Sequence, residues 1–500
     1  MSKVRAIDWV KVGIIYIATL LRVYRLDSLT EFLGDQGRTM LVMRRFIEDG
    51  VVPLSGPTTL SGHNLGPIFY YLLAPGYLIS HGPFGVSMWS ALLGVLSVAI
   101  LYRAVTLMFG IWPARVVSLL WAVSPVIISA DRTIWEPNLV PLWSVLFIFL
   151  LYRAYRKWHG ILWVGVGASV GVLIQLHYPN IYFLGLTALA LAGAKIYRKK
   201  SNNDIFRSLI WCTGGFVAVL LPFLWYEFTV GFKDITGIAS IIADGAGATM
   251  GKRVMLWQSL DYSYRVLGRM IPEMSRIPAA VLLLLWGIFV LFRPTPKNIF
   301  FSLWFAGGIA AMVRYAGVVH DHYLFFLTPV PFFMLASVVS SVTNPVWKKA
   351  VLLCLTGLIL YQFMQTDIAD YGKNDLARVS MAVARMKADA GQERFSFTLI
   401  NTRSFSDLHY RYYMRVMGVT PMPVGEANYR KLYVMCESSR CPTVTQITSI
   451  TTLPVLCYDE HCADTYTGIP LWDSWSYIRH ERVVDSGRIL GTLYVFERRQ

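Results

Sequence analysis

Residues 84–103 read FGVSMWSALLGVLSVAILYR, nineteen residues without a charge followed by Arg103. An apolar run of about 17 to 25 residues is the length an α-helix needs to cross the hydrocarbon core of a bilayer, and a basic residue at its end marks the cytoplasmic side. Similar windows recur on both sides of this one, at about 7–24, 113–130, 138–155, 161–178, 180–196, 207–226, 278–292, 298–317, 323–342 and 350–366. The expectation is a membrane bundle of about eleven transmembrane helices. Composition agrees: of 500 residues 55% are hydrophobic and only 15% charged, with a mean hydropathy of +0.48. A twelfth apolar run, GPIFYYLLAPGYLI at 66–79, contains Pro75 and Gly76 and is too short to span; it reads as a helix lying at the interface or dipping partway in.

Charge orients the bundle. With the N-terminus inside, the inner segments hold seventeen basic residues, from Lys3 and Arg5 through Arg103, Arg115 and Arg198 to Lys349, against Asp8 and Asp204. That is +15 of a total +16, spread over short loops. The basic balance is therefore a topology signal rather than a nucleic-acid surface, and no nucleic-acid partner is expected. An odd number of spans places the segment 367–500 outside the membrane, at the end of a bundle occupying 1–366. The first span, flanked by Lys3 and Arg5 and without a small-residue cleavage site, reads as a retained anchor.

The segment 367–500 has a different texture. Helix formers dominate 375–390, while FSFTLIN at 395–401, KLYVMCE at 431–437 and GTLYVFERR at 491–499 read as strands, the last as a half-buried edge. A small α/β domain, serving as a lid or acceptor-docking module, is expected. Four of the six cysteines fall here, Cys436, Cys441, Cys457 and Cys462, whereas Cys212 and Cys354 lie in apolar spans. In an oxidising compartment the four read as two disulfides with three connectivities open, and a four-thiolate zinc site is the alternative.

Ionisable residues gather on the outer rim rather than at midplane depth, where ion-coupled transporters keep theirs. Four outer segments result: 25–83, with Asp35 between Gly34 and Gly37, and His63 and Asn64 in SGHNLGPIFYY; 129–138, with Asp131, Arg132, Trp135 and Glu136; 227–277; and 313–322, with Arg314, His320, Asp321 and His322. In the third, Val254, Trp257, Leu260, Tyr264 and Leu267 recur at helical spacing beside a charged row of Asp261, Arg265 and Arg269. Each residue also has a plainer reading. Asp35 would cap a helix starting near Thr39, Glu136 before Pro137 would open a span, Arg265 and Arg269 would pair with Asp261, and His320 and His322 would be interfacial imidazoles.

Taken in order, an acid in the first outer loop, the His63-Asn64 stretch leading into YYLLAPGYL, the FG at 109–110, the short acidic second loop and HDHYLFFLTPVPFF at 320–333 resemble the membrane glycosyltransferases of the C-type fold. The nearest group is the protein O-mannosyltransferases and aminoarabinose transferases. The resemblance covers about 1–345 and implies sugar transfer from a polyprenyl-phosphate donor to a hydroxyl or amine of a protein, lipid or glycan, with inversion. It implies a carboxylate base, for which Asp35 is the first candidate, with Glu136 and Asp131 behind it. It also implies cations for the departing lipid phosphate, for which Arg265, Arg269, Arg314, Lys252 and Arg253 are the candidates. His63, Asn64, His320, His322 and Tyr323 are the candidates for the substrate pocket. A divalent cation, Mg or Mn, would take Asp35, His63 and Glu136 as ligands. One departure stands out: relatives often carry two adjacent acids in the first loop, and here Asp35 is followed by Gln36. A lipid-linked sugar transporter or flippase, and an oligosaccharyltransferase or glycan polymerase, are the alternative functions.

Overall fold

The computed structural model describes residues 8–59, 61–247, 252–315, 317–404, 406–424, 429–438, 440–450 and 472–499. Lys3, Arg5, Cys457 and Cys462 lie outside the described residues. Every expected window falls on a helix: Trp9–Val23, Pro83–Phe109, Ile111–Val123 with Pro125–Arg132, Val140–Lys157, Gly160–Leu176, Tyr182–Tyr197, Asn202–Thr229, Arg276–Phe292, Pro296–Val313, Pro329–Ser341 and Pro345–Met364. Among the described residues six helices are long and apolar enough to cross a membrane, or seven when Ile111–Val123 and Pro125–Arg132 count as one. The chain is thus a multi-pass membrane protein.

That last pair corrects the expected straight span at 113–130. The two helices meet at 61° because Pro125 has no N–H to continue the ladder and forces the residue before it out of the helical region. Ser124 is accordingly extended, at φ −64° and ψ 118°. Its hydroxyl donates to the carbonyl of Arg269 at 2.6 Å, tying the bend to the third outer segment.

The bend aims Asp131 and Arg132 into the bundle. Asp131 Oδ2 accepts from Arg22 Nε at 2.7 Å, and the Arg22 side chain is fully buried. Arg132 donates to Asp367 Oδ1 at 2.6 Å. An isolated charge in an apolar bundle is costly, and pairing is what makes it tolerable. These two pairs cross-link the first span, the bend and the end of the last long helix.

The short apolar run forms the helix Ile68–Ser80, with Pro75 inside it and Gly76 against Val86 and Trp89 of the helix Pro83–Phe109. The C-terminal segment contains the helix Asp375–Ala390, strand β1 Phe395–Ile400, the helix Leu408–Val416 and strands β2 Lys431–Cys436, β3 Trp475–Asp485 and β4 Arg488–Arg498. Sheet order is β1-β2-β4-β3, with β1 and β2 parallel and the other pairs antiparallel. The expected edge at 491–499 is therefore interior. The edge beside it is β3, a strand absent from the sequence reading, and β4 is buried over most of its length because it is paired on both sides. Cys436 and Cys441 form a disulfide, which selects one pairing and removes both thiolates from a zinc site. One hydrophobic cluster runs from Phe32, Trp121 and Phe326 of the bundle to Val379, Tyr410 and Val495 of the C-terminal segment, so the two share a core.

Candidate active site

The helix that carries Asp35 begins at Gly34 and runs to Glu48, five residues earlier than the start expected at Thr39. Gln36 explains the early start: its side-chain oxygen accepts the Leu33 N–H at 2.9 Å, satisfying one of the donors a helix leaves open at its N-terminus. Gln36 is buried. Gln36, next to Asp35, is thus turned inward and performs a capping role that a neutral amide fills without burying a charge.

Asp35 stays about half exposed, its Oδ1 3.2 Å from Arg38 Nη2 one turn along the helix. The third member of this group is Glu136, buried at the start of the 3-10 turn Glu136–Leu139. The charges that act on it are Arg38 and Asp35, and its Oε2 has no hydrogen-bond partner among the described residues. Arg38 also lines a cavity of about 230 Å³ together with Arg45, Thr58, Asn64 and Tyr70. Asp35, Arg38 and Arg45 therefore share one face of the helix Gly34–Glu48, with Glu136 under the influence of the first two and the hollow beside the two arginines.

Asp131, the third catalytic candidate, is not part of this group, because its carboxylate is taken by Arg22. His63 separates from the expected metal set as well. Its Nδ1 is 3.5 Å from Asp234 Oδ1, while Asn64 donates to the Tyr226 hydroxyl at 2.8 Å and to Asp234 at 3.3 Å. These contacts pin the first outer loop to the helices Asn202–Thr229 and Lys233–Gly247. Among the described residues no three His, Cys, Asp or Glu side chains stand close enough to hold a metal ion, so Asp35, His63 and Glu136 do not form the expected cation site.

The expected phosphate cations divide in two. Arg265 is held by Asp321 at 2.6 Å and by the carbonyl of Val319. Arg269, fully buried, donates to the carbonyls of Leu324 and Asp321 and to Thr328. Both clamp the segment 319–328, which is more than the simple pairing with Asp261 allowed for. Arg253 and Arg314 are exposed; the Lys252 side chain lies outside the described residues. The clamped segment presents an aromatic wall beside Glu136. His322 packs 4.6 Å from Trp135 and 5.2 Å from His177, and Tyr323 lies 4.8 Å from His177 and 5.7 Å from His320.

Arg38, Arg45, Asp234 and His177 were not identified by sequence reasoning. Arg38 had a usable signal, an i, i+3 spacing from Asp35, but it is visible only if the helix begins before Asp35. The others depend on contacts between distant segments.

The model for the dolichyl-phosphate-mannose-protein mannosyltransferase family matches residues 64–226. The structure superposes on ArnT from Cupriavidus metallidurans with a TM-score of 0.60 over 97% of both chains, at 12% identity. This chain has the C-type glycosyltransferase fold. The same score and coverage hold against the ArnT structure bound to undecaprenyl phosphate. In sequence the chain is 27% identical over 138 residues, 26% of its length, to YycA of Bacillus subtilis strain 168, a protein named as a mannosyltransferase. The match spans a fifth of that relative's length.

Proposed function

We propose that this chain is an inverting membrane glycosyltransferase that moves a sugar from a polyprenyl-phosphate donor to an acceptor hydroxyl or amine at the outer face of the membrane. The observation that carries the reading is Arg38, which pairs with Asp35, acts on the buried Glu136 and lines, with Arg45, the cavity beside them. The fold shared with a protein that binds undecaprenyl phosphate supports it.

In this reading Asp35 takes the acceptor proton as the acceptor attacks C1 of the sugar. The bond from C1 to the phosphate oxygen breaks, and the electron pair leaves with the lipid phosphate. Arg38 and Arg45 offer guanidinium groups suited to that phosphate, with Arg253 and Arg314 on the outer rim. Glu136 is the second carboxylate, buried within the influence of Arg38 and Asp35, with the aromatic wall of Trp135, His320, His322 and Tyr323 beside it. The bundle is 1–366 with eleven spans and the N-terminus inside, and 367–500 is an outer α/β domain; the concentration of positive charge on one side supports this orientation. A transporter would need a hydrophilic route through the bundle, whereas Arg22 with Asp131 and Arg132 with Asp367 are matched pairs between helices.

The test is transfer from radiolabelled polyprenyl-phosphate sugars into membranes containing the wild-type protein or Asp35→Asn. Loss of roughly a hundredfold or more in the variant is expected for removal of a general base. Full transfer by the variant with every active donor would remove Asp35 from the reaction.

A further inference from the structure

The helix that begins at Gly34 is completed from the other end of the chain. Three N–H groups at or just before its first turn, those of Phe32, Leu33 and Gly34, donate to side chains. Leu33 is served locally by Gln36, but the Phe32 N–H donates to Asp375 Oδ2 at 3.2 Å and the Gly34 N–H to Ser404 Oγ at 2.8 Å. Both acceptors belong to the C-terminal segment. The contact is close enough to exclude side chains: a Cβ on Gly34 would overlap Ser404 and Ser406, and one on Gly37 would overlap the backbone of His409. This accounts for the two glycines that flank Asp35.

The acceptors are themselves fixed. Ser404 donates its hydroxyl to the carbonyl of Ser406 at 2.6 Å and its N–H to Thr402 Oγ1 at 2.9 Å, and Thr402 donates to Glu437 Oε2. Glu437, buried just after β2, also accepts from Arg378 at 2.9 Å and from Tyr410 at 3.1 Å, and pairs with His409 Nε2 at 3.1 Å. Arg378 in turn donates to Asp375 at 2.7 Å. One buried carboxylate thus anchors the routes that reach both Phe32 and Gly34. Groups tied into a buried hydrogen-bond network are restricted in the geometries they can take.

We propose that Ser404 is a positioning residue for sugar transfer, capping the Asp35 helix across the chain so that the carboxylate one residue on is held at its working distance from Arg38, with Glu437 fixing the cap. The proposal rests on Asp35 as the base. A displacement of about 1 Å in a reacting group is enough to cost two orders of magnitude in rate, and loss of one cap hydrogen bond frees the first turn.

The test uses the full chain purified in detergent, with transfer rates normalised to folded protein. Ser404→Ala is expected to lower kcat roughly tenfold, the equivalent of a lost cap, with the donor KM within twofold, and Ser404→Thr, which keeps the hydroxyl, to restore it. In an Asp35→Asn background Ser404→Ala should change the residual rate by less than twofold, because its effect passes through Asp35. Wild-type kcat in Ser404→Ala, or an equal loss in both backgrounds, overturns the proposal. Glu437→Gln gives a second reading by the same cycle. Undiminished transfer by Asp35→Asn alone is a separate result, and it strikes the reading of the base rather than the cap.

Discussion

Arg38 reaches Asp35 across one helical turn, its Nη2 3.2 Å from Oδ1, and the same guanidinium faces Glu136 and the cavity. One cation therefore orients one carboxylate, balances a second and borders the space proposed for the departing phosphate. Arg38→Gln should lower kcat/KM by roughly a hundredfold to a thousandfold, the range for removing one preorganised donor to developing charge. Arg38→Lys should recover only part, because an ammonium lacks the planar fork. Steady-state transfer assays on both variants check this, and a loss below threefold in Arg38→Gln would refute it.

Asp131 should behave in the opposite way to Asp35. Its removal leaves the Arg22 guanidinium buried without its anion, which costs about 3 to 5 kcal/mol, so Asp131→Asn should lower the unfolding temperature and the yield of folded protein. Asp35→Asn, which breaks a half-exposed pair, should change stability by about 1 kcal/mol or less. Replacing both partners, Arg22→Met with Asp131→Leu, should recover much of the loss. Thermal unfolding in one detergent compares all of them.

The Glu437 carboxyl gives the C-terminal segment an acid-sensitive anchor. Burial alone would raise its pKa, but His409, Arg378 and Thr402 outweigh burial and hold it well below the usual carboxylate range. A carboxyl depressed in the folded state contributes stability in full above its unfolded value of about 4.3. That contribution is lost as pH falls from there through the folded value. The unfolding temperature of the wild type should therefore carry no contribution to its slope from Glu437 between pH 6 and 8 and should gain one below about pH 4.5. Glu437→Gln should start lower and show a shallower acid limb. An equally steep limb in the variant would show that other groups dominate.

Gly37→Ala should separate docking from membrane insertion. The added methyl meets the backbone of His409, and overpacking of this kind costs about 1 to 3 kcal/mol. The variant should still reach the membrane, yet its C-terminal segment should be cleaved faster in limited proteolysis, while Gly185→Ala, on the helix Tyr182–Tyr197 with open space around it, should leave the cleavage rate of that segment unchanged.

The bundle was legible because apolar length is a local property: each window falls on a helix whatever the rest of the chain does. The bend at Ser124 was written in Pro125, but an apolar window averages over a single proline. Asp35 and Glu136 were readable as outer-loop acids, whereas Asp131 reads the same way and differs only through Arg22, 109 residues away. His63 likewise took a partner, Asp234, on a helix that the sequence reading did not include. Strand β3 was missed because Arg479, His480, Glu481 and Arg482 interrupt its apolar residues, and pairing with β4 decides its state. Gln36 looked like a missing acid until its side chain was seen on the Leu33 N–H.

The donors at Phe32 and Gly34 meet acceptors 343 and 370 residues further along the chain. In a protein made and inserted from its N-terminus, the loop that leads into the Asp35 helix emerges early and must wait, with an unfinished helix end, until the last long helix has been made and the final segment has folded. Biogenesis therefore has its own checkpoint. A nascent or truncated chain can hold every residue of the proposed site and still lack the acceptors that Asp375 and Ser404 give the start of its helix.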